Sequence, residues 1–189
     1  MNVTDKLTAL AGSSPEGPAI LTVDGILSFV ELNRAVSATA KAFQDAGIHP
    51  GDIVGMALPD QLEHFVASLG LTRLGAGQLV FHGSDTPELR ESFARRVPIA
   101  ATVTHDAAKT VAGAPVIVPP PRTVSELAEL PEVTLVPADD PDLTVFCLRS
   151  SGTTGQPRVF RLTQAMMPPH CWSPIRARRP FSPASMHSD

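Results

Sequence analysis

The sequence predicts an α/β fold in which a mainly parallel sheet is covered by helices on both faces. Short strand-like segments alternate with amphipathic helical segments, and most of the strand-like segments are apolar throughout. Apolar residues make up 43% of the 189 residues, which is enough for a core of domain size. Because ligands of such sheets bind at the carboxyl ends of the strands, we expect the functional site at that edge.

The first predicted elements are a hairpin and a long helix. The segment AILTVDGILSF places two apolar runs around Asp24-Gly25, a pair that is typical of a tight hairpin turn. Ser28 precedes Glu31 by three positions, which is the spacing of a capping box at a helix start, and Gly47 is the expected stop. The apolar face of this helix consists of Leu32, Val36, Ala40 and Phe43.

The middle of the chain repeats a strand and helix alternation. DIVGMALP predicts a buried strand, and Asp60 with Glu63 can cap the helix that follows it. GQLVF predicts the next strand, and Thr86-Pro87 opens a third helix whose core residues are Leu89 and Phe93. The apolar stripe predicted for the second helix consists of Leu62, Phe65, Val66 and Leu69.

The next segments complete the predicted sheet. IAATVTH and PVIVP are expected to be strands, and TVSELAEL a short helix in which Thr123 and Glu126 repeat the capping spacing. DLTVFCL is expected to be the last strand, and it leads directly into a polar, glycine-containing loop.

Composition excludes several functional classes. The net charge of −4 does not favour nucleic-acid binding, and no apolar run is long enough for a signal peptide or a membrane span, so a cytoplasmic protein is expected. Two cysteines, Cys147 and Cys171, are too few for a disulfide framework. His49, His82 and His105 do not show metal-ligand spacing, and no metal site is predicted.

The hydroxyl-rich loop (residues 150–158) is the strongest candidate for a binding site. Its glycines allow the backbone to approach a ligand closely, its hydroxyl groups and successive N–H groups can donate to an anion, and Arg158 adds charge suited to phosphate. The spacing matches neither a Walker loop nor a dinucleotide fingerprint. The candidate binding residues are Ser150, Ser151, Gly152, Thr153, Thr154, Gly155, Gln156 and Arg158.

The stretch SSGTTGQPRVFRLT resembles the phosphate-binding signature of the adenylate-forming ligases, which include acyl-CoA synthetases, peptide-synthetase adenylation domains and luciferases. The resemblance extends upstream through LSFVELNRAVSATAKAFQDAGIHPGDIVGMALPDQLEHFVASLGLTRLGAGQLV and covers about residues 15–163. Three positions depart from the family pattern. Gln156 replaces a usual Lys, Val159 a usual Gly and Gln164 a frequent His, whereas Arg158 keeps the charge of a second Lys.

The resemblance implies a two-step ligase that uses ATP with Mg²⁺. A carboxylate would attack the α-phosphate to give an acyl-adenylate and pyrophosphate, and CoA or a carrier protein would then accept the acyl group. The hydroxyl-rich loop would hold the β- and γ-phosphates. Residues 1–163 would be the N-terminal part of the large domain of such an enzyme.

The family's adenine, ribose and hinge motifs and its lysine-bearing small domain are not found in the sequence. We therefore expect the 189-residue chain by itself to bind ATP weakly and to be inactive, and no catalytic residue is assigned. Two alternatives stay open: a non-catalytic nucleotide-binding or interaction module, and one half of a split ligase completed by a complementary chain.

Composition changes at about Thr163. Residues 164–189 contain the only Trp, three of the five Met and a single acidic residue, Asp189. The prolines Pro168 and Pro169 oppose a helix there. We expect this proline-rich segment to be disordered, or to arise from a frameshift, in which case another reading frame would continue the ligase.

Overall fold

The computed structural model describes residues 2–150 and 158–167. These residues form a β-sheet with α-helices on both of its faces. The helices are α1 (Asp5–Ser13), α2 (Phe29–Asp45), α3 (Gln61–Leu74), α4 (Pro87–Ala94) and α5 (Val124–Ala128). The strands are β1 (Pro18–Thr22), β2 (Gly25–Ser28), β3 (Ile53–Ala57), β4 (Gly77–Val80), β5 (Ala101–Thr104), β6 (Val116–Ile117), β7 (Thr144–Ser150) and β8 (Arg158–Thr163). Short 3₁₀ turns cover Ala107–Lys109 and Gln164–Met166.

The main sheet has six strands in the order β6-β5-β3-β4-β7-β8. All neighbours from β6 to β7 are parallel, and β8 returns antiparallel to β7. β1 and β2 form the separate antiparallel hairpin that the turn signal predicted, with Thr22 paired to Gly25. The chain enters the sheet at β3 and adds strands on both sides of it, so ligand-binding crevices are expected around the carboxyl end of β3.

Alternate residues of β3 pack into two different cores. Val54 and Met56 pack with α2 and α3 on one face. Ile53 packs on the other face with Phe93 of α4. This arrangement confirms the predicted parallel-rich sheet with helices on both faces.

α2 begins and ends where the sequence predicts. Ser28 and Glu31 form a reciprocal capping box, which satisfies backbone N–H groups that the first helical turn leaves unpaired. Gly47 follows the helix with a φ of +89°, a left-handed conformation that glycine adopts without a Cβ clash. The four predicted face residues, Leu32, Val36, Ala40 and Phe43, are all buried.

α3 is capped by Asp60, whose Oδ1 accepts from the Glu63 N–H at 2.9 Å, and three of its four predicted stripe residues, Leu62, Val66 and Leu69, pack in a core with α2. Phe65 is 40% exposed. The helix packs closely on α2 through Gly70, where an added Cβ would lie 2.9 Å from Thr39 Cγ2. Phe65 instead lines a surface groove with Ile20 and Leu21 of β1.

Two elements were not predicted from the sequence. α1 lacks a side-chain cap and buries no hydrophobic side chain fully, so its sequence carries little helical signal. It is held by the Arg73 side chain, which is 1% exposed and donates to Thr4, Thr8 and Asn33. The prediction that β7 is the last strand is wrong, because β8 pairs with β7 along its length.

The described chain continues beyond Thr163 into a packed turn. Gln164 is 6% exposed, its N–H donates to the Leu143 carbonyl at 2.9 Å, and its side chain donates to Ala138 at 3.2 Å. The remainder of the predicted proline-rich segment, residues 168–189, lies outside the described residues. Within the described parts, none of the helices has the length and apolarity that crossing a membrane requires.

Candidate functional site

The hydroxyl-rich loop connects β7 to β8 at the carboxyl edge of the parallel strands. Ser150 ends β7 and is paired with Arg158, the first residue of β8. The hairpin therefore brings the two ends of the predicted site together, with Ser150 half-buried and Arg158 exposed. The other candidates, Ser151, Gly152, Thr153, Thr154, Gly155 and Gln156, lie outside the described residues.

Arg149 anchors the carboxyl end of β7 immediately before this loop. Its guanidinium forms a two-pronged ion pair with Asp85, with an Nη2 to Oδ1 distance of 2.9 Å, and donates to the Val80 carbonyl at 3.0 Å. The guanidinium also lies 4.4 Å from the ring centroid of Phe93 in α4. The charge of Arg149 is already paired through these contacts. The exposed arginine at the loop is Arg158.

Asp85 lies in the connection between β4 and α4, and its ion pair with Arg149 links this connection to the β7–β8 hairpin. Burial alone would raise the pKa of Asp85, but hydrogen bonds from Arg149 and from the His82 N–H hold that pKa below its ordinary value. Arg90, which is 2% exposed, donates to the carbonyls of Asp85, Ala108 and Thr110. The loops that follow β4 and β5 are thereby fixed relative to each other.

A cleft of about 170 Å³ opens at the carboxyl ends of β3, β4 and β5. Its lining includes Leu58, Pro59, Phe81, His82, His105 and Lys109. Lys109 donates to the Gly83 carbonyl at 2.9 Å across this edge. The cleft lies where the order of the strands predicts a ligand crevice, and its wall combines apolar side chains with basic groups and the carboxylate of Asp106.

A buried carboxylate supports one wall of the cleft. Glu63 in the first turn of α3 is fully buried, and its Oε1 contacts both His105 Nε2 and, at 3.5 Å, Arg122 Nε. Its other oxygen, Oε2, has no hydrogen-bond partner. The carboxylate thus orients the His105 ring, which remains partly exposed at the cleft.

Sequence reasoning missed the structural partners of the site. Arg149 carried one usable signal, because it is a charged residue at the end of an otherwise apolar strand. Asp85 carried none, and Glu63 was predicted only as a helix-cap residue, since their buried partners are 64 and 42 positions away along the chain. Among the described residues, no group of three or more His, Cys, Asp or Glu side chains is placed to hold a metal ion.

Comparison with protein families gives a match over most of the chain. The family described as AMP-binding enzyme matches residues 7–175. One similar curated protein is the N-benzoylphenylalaninol synthetase apmA of Penicillium brevicompactum, which is 28% identical over 160 residues. That alignment covers 82% of this chain but 7% of the fungal protein.

Two solved structures show the same fold. The N-terminal subdomain of Klebsiella oxytoca NpsA in complex with 3-hydroxybenzoyl-AMSN matches with a TM-score of 0.71 at 18% identity, covering 86% of this chain and 41% of that one. The O-succinylbenzoate coenzyme A synthetase of Bacillus subtilis in complex with AMP matches with a TM-score of 0.68 at 21% identity, covering 83% and 41%. The present chain therefore spans about two fifths of each of these structures.

Proposed function

This chain belongs to the AMP-binding enzyme family, and on that premise we propose that its hydroxyl-rich loop holds the β- and γ-phosphates of ATP during activation of a carboxylate. The observation that carries the proposal is the pairing of Ser150 with Arg158 at the carboxyl end of β7. The pairing supports it because the loop between them must emerge at the edge where α/β sheets bind ligands. Its N–H and hydroxyl groups can then converge on an anion.

In the proposed reaction a carboxylate oxygen attacks the α-phosphorus of ATP. A carboxylate–phosphorus bond forms, the bond from the α-phosphorus to the bridging oxygen breaks, and pyrophosphate leaves with that electron pair. Arg158 and the donors of the loop would stabilise the charge on the leaving phosphates. The ion pair of Arg149 with Asp85 would fix the strand end from which the loop begins. Mg²⁺ would arrive bound to the nucleotide, where it neutralises phosphate charge.

The acyl-adenylate would pass to a thiol, either that of CoA or that of a carrier protein, in the whole enzyme. The name of one similar protein supports this step, because it is a coenzyme A synthetase. We assign residues 1–163 to the N-terminal part of the AMP-binding domain, and we place the reaction in the cytoplasm, where ATP is available.

For a polypeptide of these 189 residues alone, we propose weak ATP binding without turnover. Two or three charge-assisted hydrogen bonds contribute about 1.5–3 kcal/mol each, and association costs at least about 4 kcal/mol. The surplus of a few kcal/mol corresponds to a dissociation constant on the order of 1 mM. Catalysis requires groups that converge on the α-phosphate, and we propose that this polypeptide supplies only part of that set.

Titration calorimetry with Mg-ATP tests the assignment of the loop. Arg158→Ala should weaken binding by about tenfold, because it removes a charged donor worth about 1.5 kcal/mol. Arg161→Ala is the matched control, since Arg161 is also exposed and lies three positions along the same strand. It should leave the affinity within about twofold.

Equal effects of the two substitutions would reject the loop as the phosphate site. A low-micromolar affinity would reject the idea that the 189 residues hold only part of the nucleotide site. Pyrophosphate exchange by the chain alone would contradict the proposed lack of turnover. Exchange that appears only after a second polypeptide is added would instead support a split ligase.

A further inference from the structure

A cavity of about 160 Å³ lies between α1, α2, α3 and β1. Val3, Leu7 and Leu10 line it from the side of α1, and their spacing of four and three positions places them on one face of that helix and of the residues just before it. None of the three is fully buried, so α1 leaves space between itself and its neighbours. The facing apolar residues are Ala19, Phe29, Leu32, Phe65 and Leu69.

Polar contacts hold α1 in this position. The Asn2 side chain donates to the Thr72 carbonyl at 2.7 Å and to the Ala138 carbonyl at 2.9 Å. The Arg73 side chain donates to the Thr4 hydroxyl at 3.3 Å. Asn2, Thr4 and Arg73 are all buried, so a movement of α1 that filled the cavity would leave polar groups without partners away from water. The cavity is therefore part of the native fold.

A wider apolar groove of about 500 Å³ adjoins the cavity, because Ala19 and Phe65 line both spaces. The groove runs between β1 and α3 and is also lined by Ile20, Leu21 and Leu62. Leu21 and Phe65 are 72% and 40% exposed. Apolar side chains that surround a concave surface are typical of ligand sites. Together the two spaces form one site that suits a flexible apolar chain.

Lys6 supplies a positive charge at this site. It lines the cavity, it is partly exposed, and no carboxylate in the described part of the chain pairs with it. The ammonium group of a lysine is a compact charge on a flexible stem, so it can follow an anionic group at the mouth of a cavity. A molecule with an apolar chain and a carboxylate at one end therefore matches both the lining and the charge.

A polypeptide matches this lining less well, because its backbone N–H and C=O groups would enter the cavity with it. The lining contains one side-chain hydroxyl, that of Thr4, which already donates to Asn2 Oδ1 at 2.9 Å. Backbone groups without hydrogen-bond partners in an apolar cavity cost free energy, whereas an aliphatic chain has no such groups.

We propose that the space between α1, α2, α3 and β1 binds an aliphatic carboxylate, with the carboxylate at Lys6 and the chain along Phe65 into the groove. None of the residues that line the site belongs to the main sheet or to the β7–β8 hairpin. The site therefore shares no residue with the hydroxyl-rich loop, and the proposal does not depend on ATP binding there.

Methyl NMR of the 189-residue chain, titrated with octanoate, tests the position of the site. Saturable shifts are expected for the methyl groups of Leu7, Leu10 and Leu69, which line the cavity. The methyl groups of Val103, which is buried in β5, should not shift.

A lysine variant tests the charge, with octanol as the neutral ligand. Lys6→Gln should weaken octanoate binding by about fivefold, which is the upper range for a partly exposed ion pair, and should leave octanol binding unchanged. The matched control is Lys41→Gln, which removes an exposed lysine of α2 and should leave both affinities unchanged.

A second variant fills the site. Ala19→Phe places a ring where the cavity and the groove meet, and it should abolish the saturable shifts with both ligands. Val118→Phe is its control, since Val118 is 80% exposed beside β6 and should retain binding. Circular dichroism confirms that each variant is folded, and the Lys6→Gln comparison decides alone if Ala19→Phe is not.

The absence of saturable shifts at the cavity methyl groups would overturn the proposal. Equal effects of Lys6→Gln on octanoate and octanol would do the same, as would retained binding by a folded Ala19→Phe variant. Displacement of octanoate by Mg-ATP would place the carboxylate at the nucleotide site instead. A doubled mass of the ligand-free chain in sedimentation, lost in Ala19→Phe, would assign the groove to a second copy. Either of these last two results would also overturn the proposal.

Discussion

Two ion pairs of the same charge type differ in how deeply they are buried. Lys41 and Asp45 form an i,i+4 pair on α2, and both side chains are largely exposed. Arg149 and Asp85 lie on different elements, and their side chains are 17% and 4% exposed. Water screens the first pair, whereas the second is held beside Phe93 and supports the start of the hydroxyl-rich loop.

We therefore expect Asp85→Asn to lower the free energy of unfolding by about 3 kcal/mol, because it leaves the buried charge of Arg149 without a counter-ion. Asp45→Asn is the control, and it should cost no more than about 0.5 kcal/mol. Urea denaturation measures both. Similar losses for the two variants would show that burial does not strengthen the Asp85 pair.

The stabilisation that the Asp85 carboxylate provides should also depend on pH. The pKa of Asp85 is lowered in the folded protein, so its stabilising contribution is complete above the unfolded value of about 3.9. The contribution is lost as the pH falls through the folded pKa. The difference in stability between wild type and Asp85→Asn should therefore be constant near neutral pH and should shrink below about pH 4. A difference that stays constant into acid would contradict the role of the charge.

Two glycines end helices in the same backbone conformation but in different surroundings. Gly47 after α2 and Gly75 after α3 have φ values of +89° and +86°. Nothing lies within 4 Å of a Cβ built on Gly47. A Cβ on Gly75 would lie 2.7 Å from the Ala138 Cβ and 2.9 Å from the Leu143 Cδ1. The end of α3 is thus packed against the segment that leads into β7.

Alanine substitution should separate backbone strain from packing. Gly47→Ala should cost about 1–2 kcal/mol, which is the penalty of the left-handed conformation alone. Gly75→Ala should cost about 1–3 kcal/mol more, because the segment that contains Ala138 must move. Chemical denaturation of both variants measures the difference. Equal losses of stability in the two variants would mean that the segment containing Ala138 moves aside without an energetic cost.

Local signals predicted most elements, and the failures have physical causes. The capping boxes at Ser28 and Thr123 and the turn at Gly25 act within a few residues, and the structure confirms each of them. α1 depends on Arg73, a contact that spans 69 positions of the chain, and so it could not be inferred locally.

The same division applies to the candidate site. The position of the hydroxyl-rich loop after β7 followed from the order of the segments, whereas the anchoring Asp85 did not. The RVFRLT segment of β8 does not alternate strictly, because Val159 and Phe160 are adjacent apolar residues, so a period of two did not reveal this strand.

At the scale of the whole molecule, the strands of the main sheet differ in how many residue pairs join them to their neighbours. β3 and β4 pair at four positions in the centre of the sheet, and β3 is buried along most of its length. β7 pairs with β4 at two positions, through Gln78 with Phe146 and Leu79 with Cys147. β8 has a partner on one side only and no fully buried residue. The hairpin that carries the hydroxyl-rich loop is therefore attached less firmly than the central strands β3 and β4 are to each other.

Native-state hydrogen exchange should resolve this difference. Amides of β3 and β4 should exchange only through global unfolding, so their rates should rise steeply with added denaturant. Amides of β8 should exchange through a local opening that exposes little surface, with rates that hardly change at low denaturant. Asp85→Asn should speed exchange in β7 and β8 more than in β5, because it loosens the anchor of the hairpin while β5 keeps its pairing with β3. Equal protection of β8 and β3 would mean that the sheet opens as one unit, and the two pairs that join β7 to β4 would then be as strong as the four that join β3 to β4.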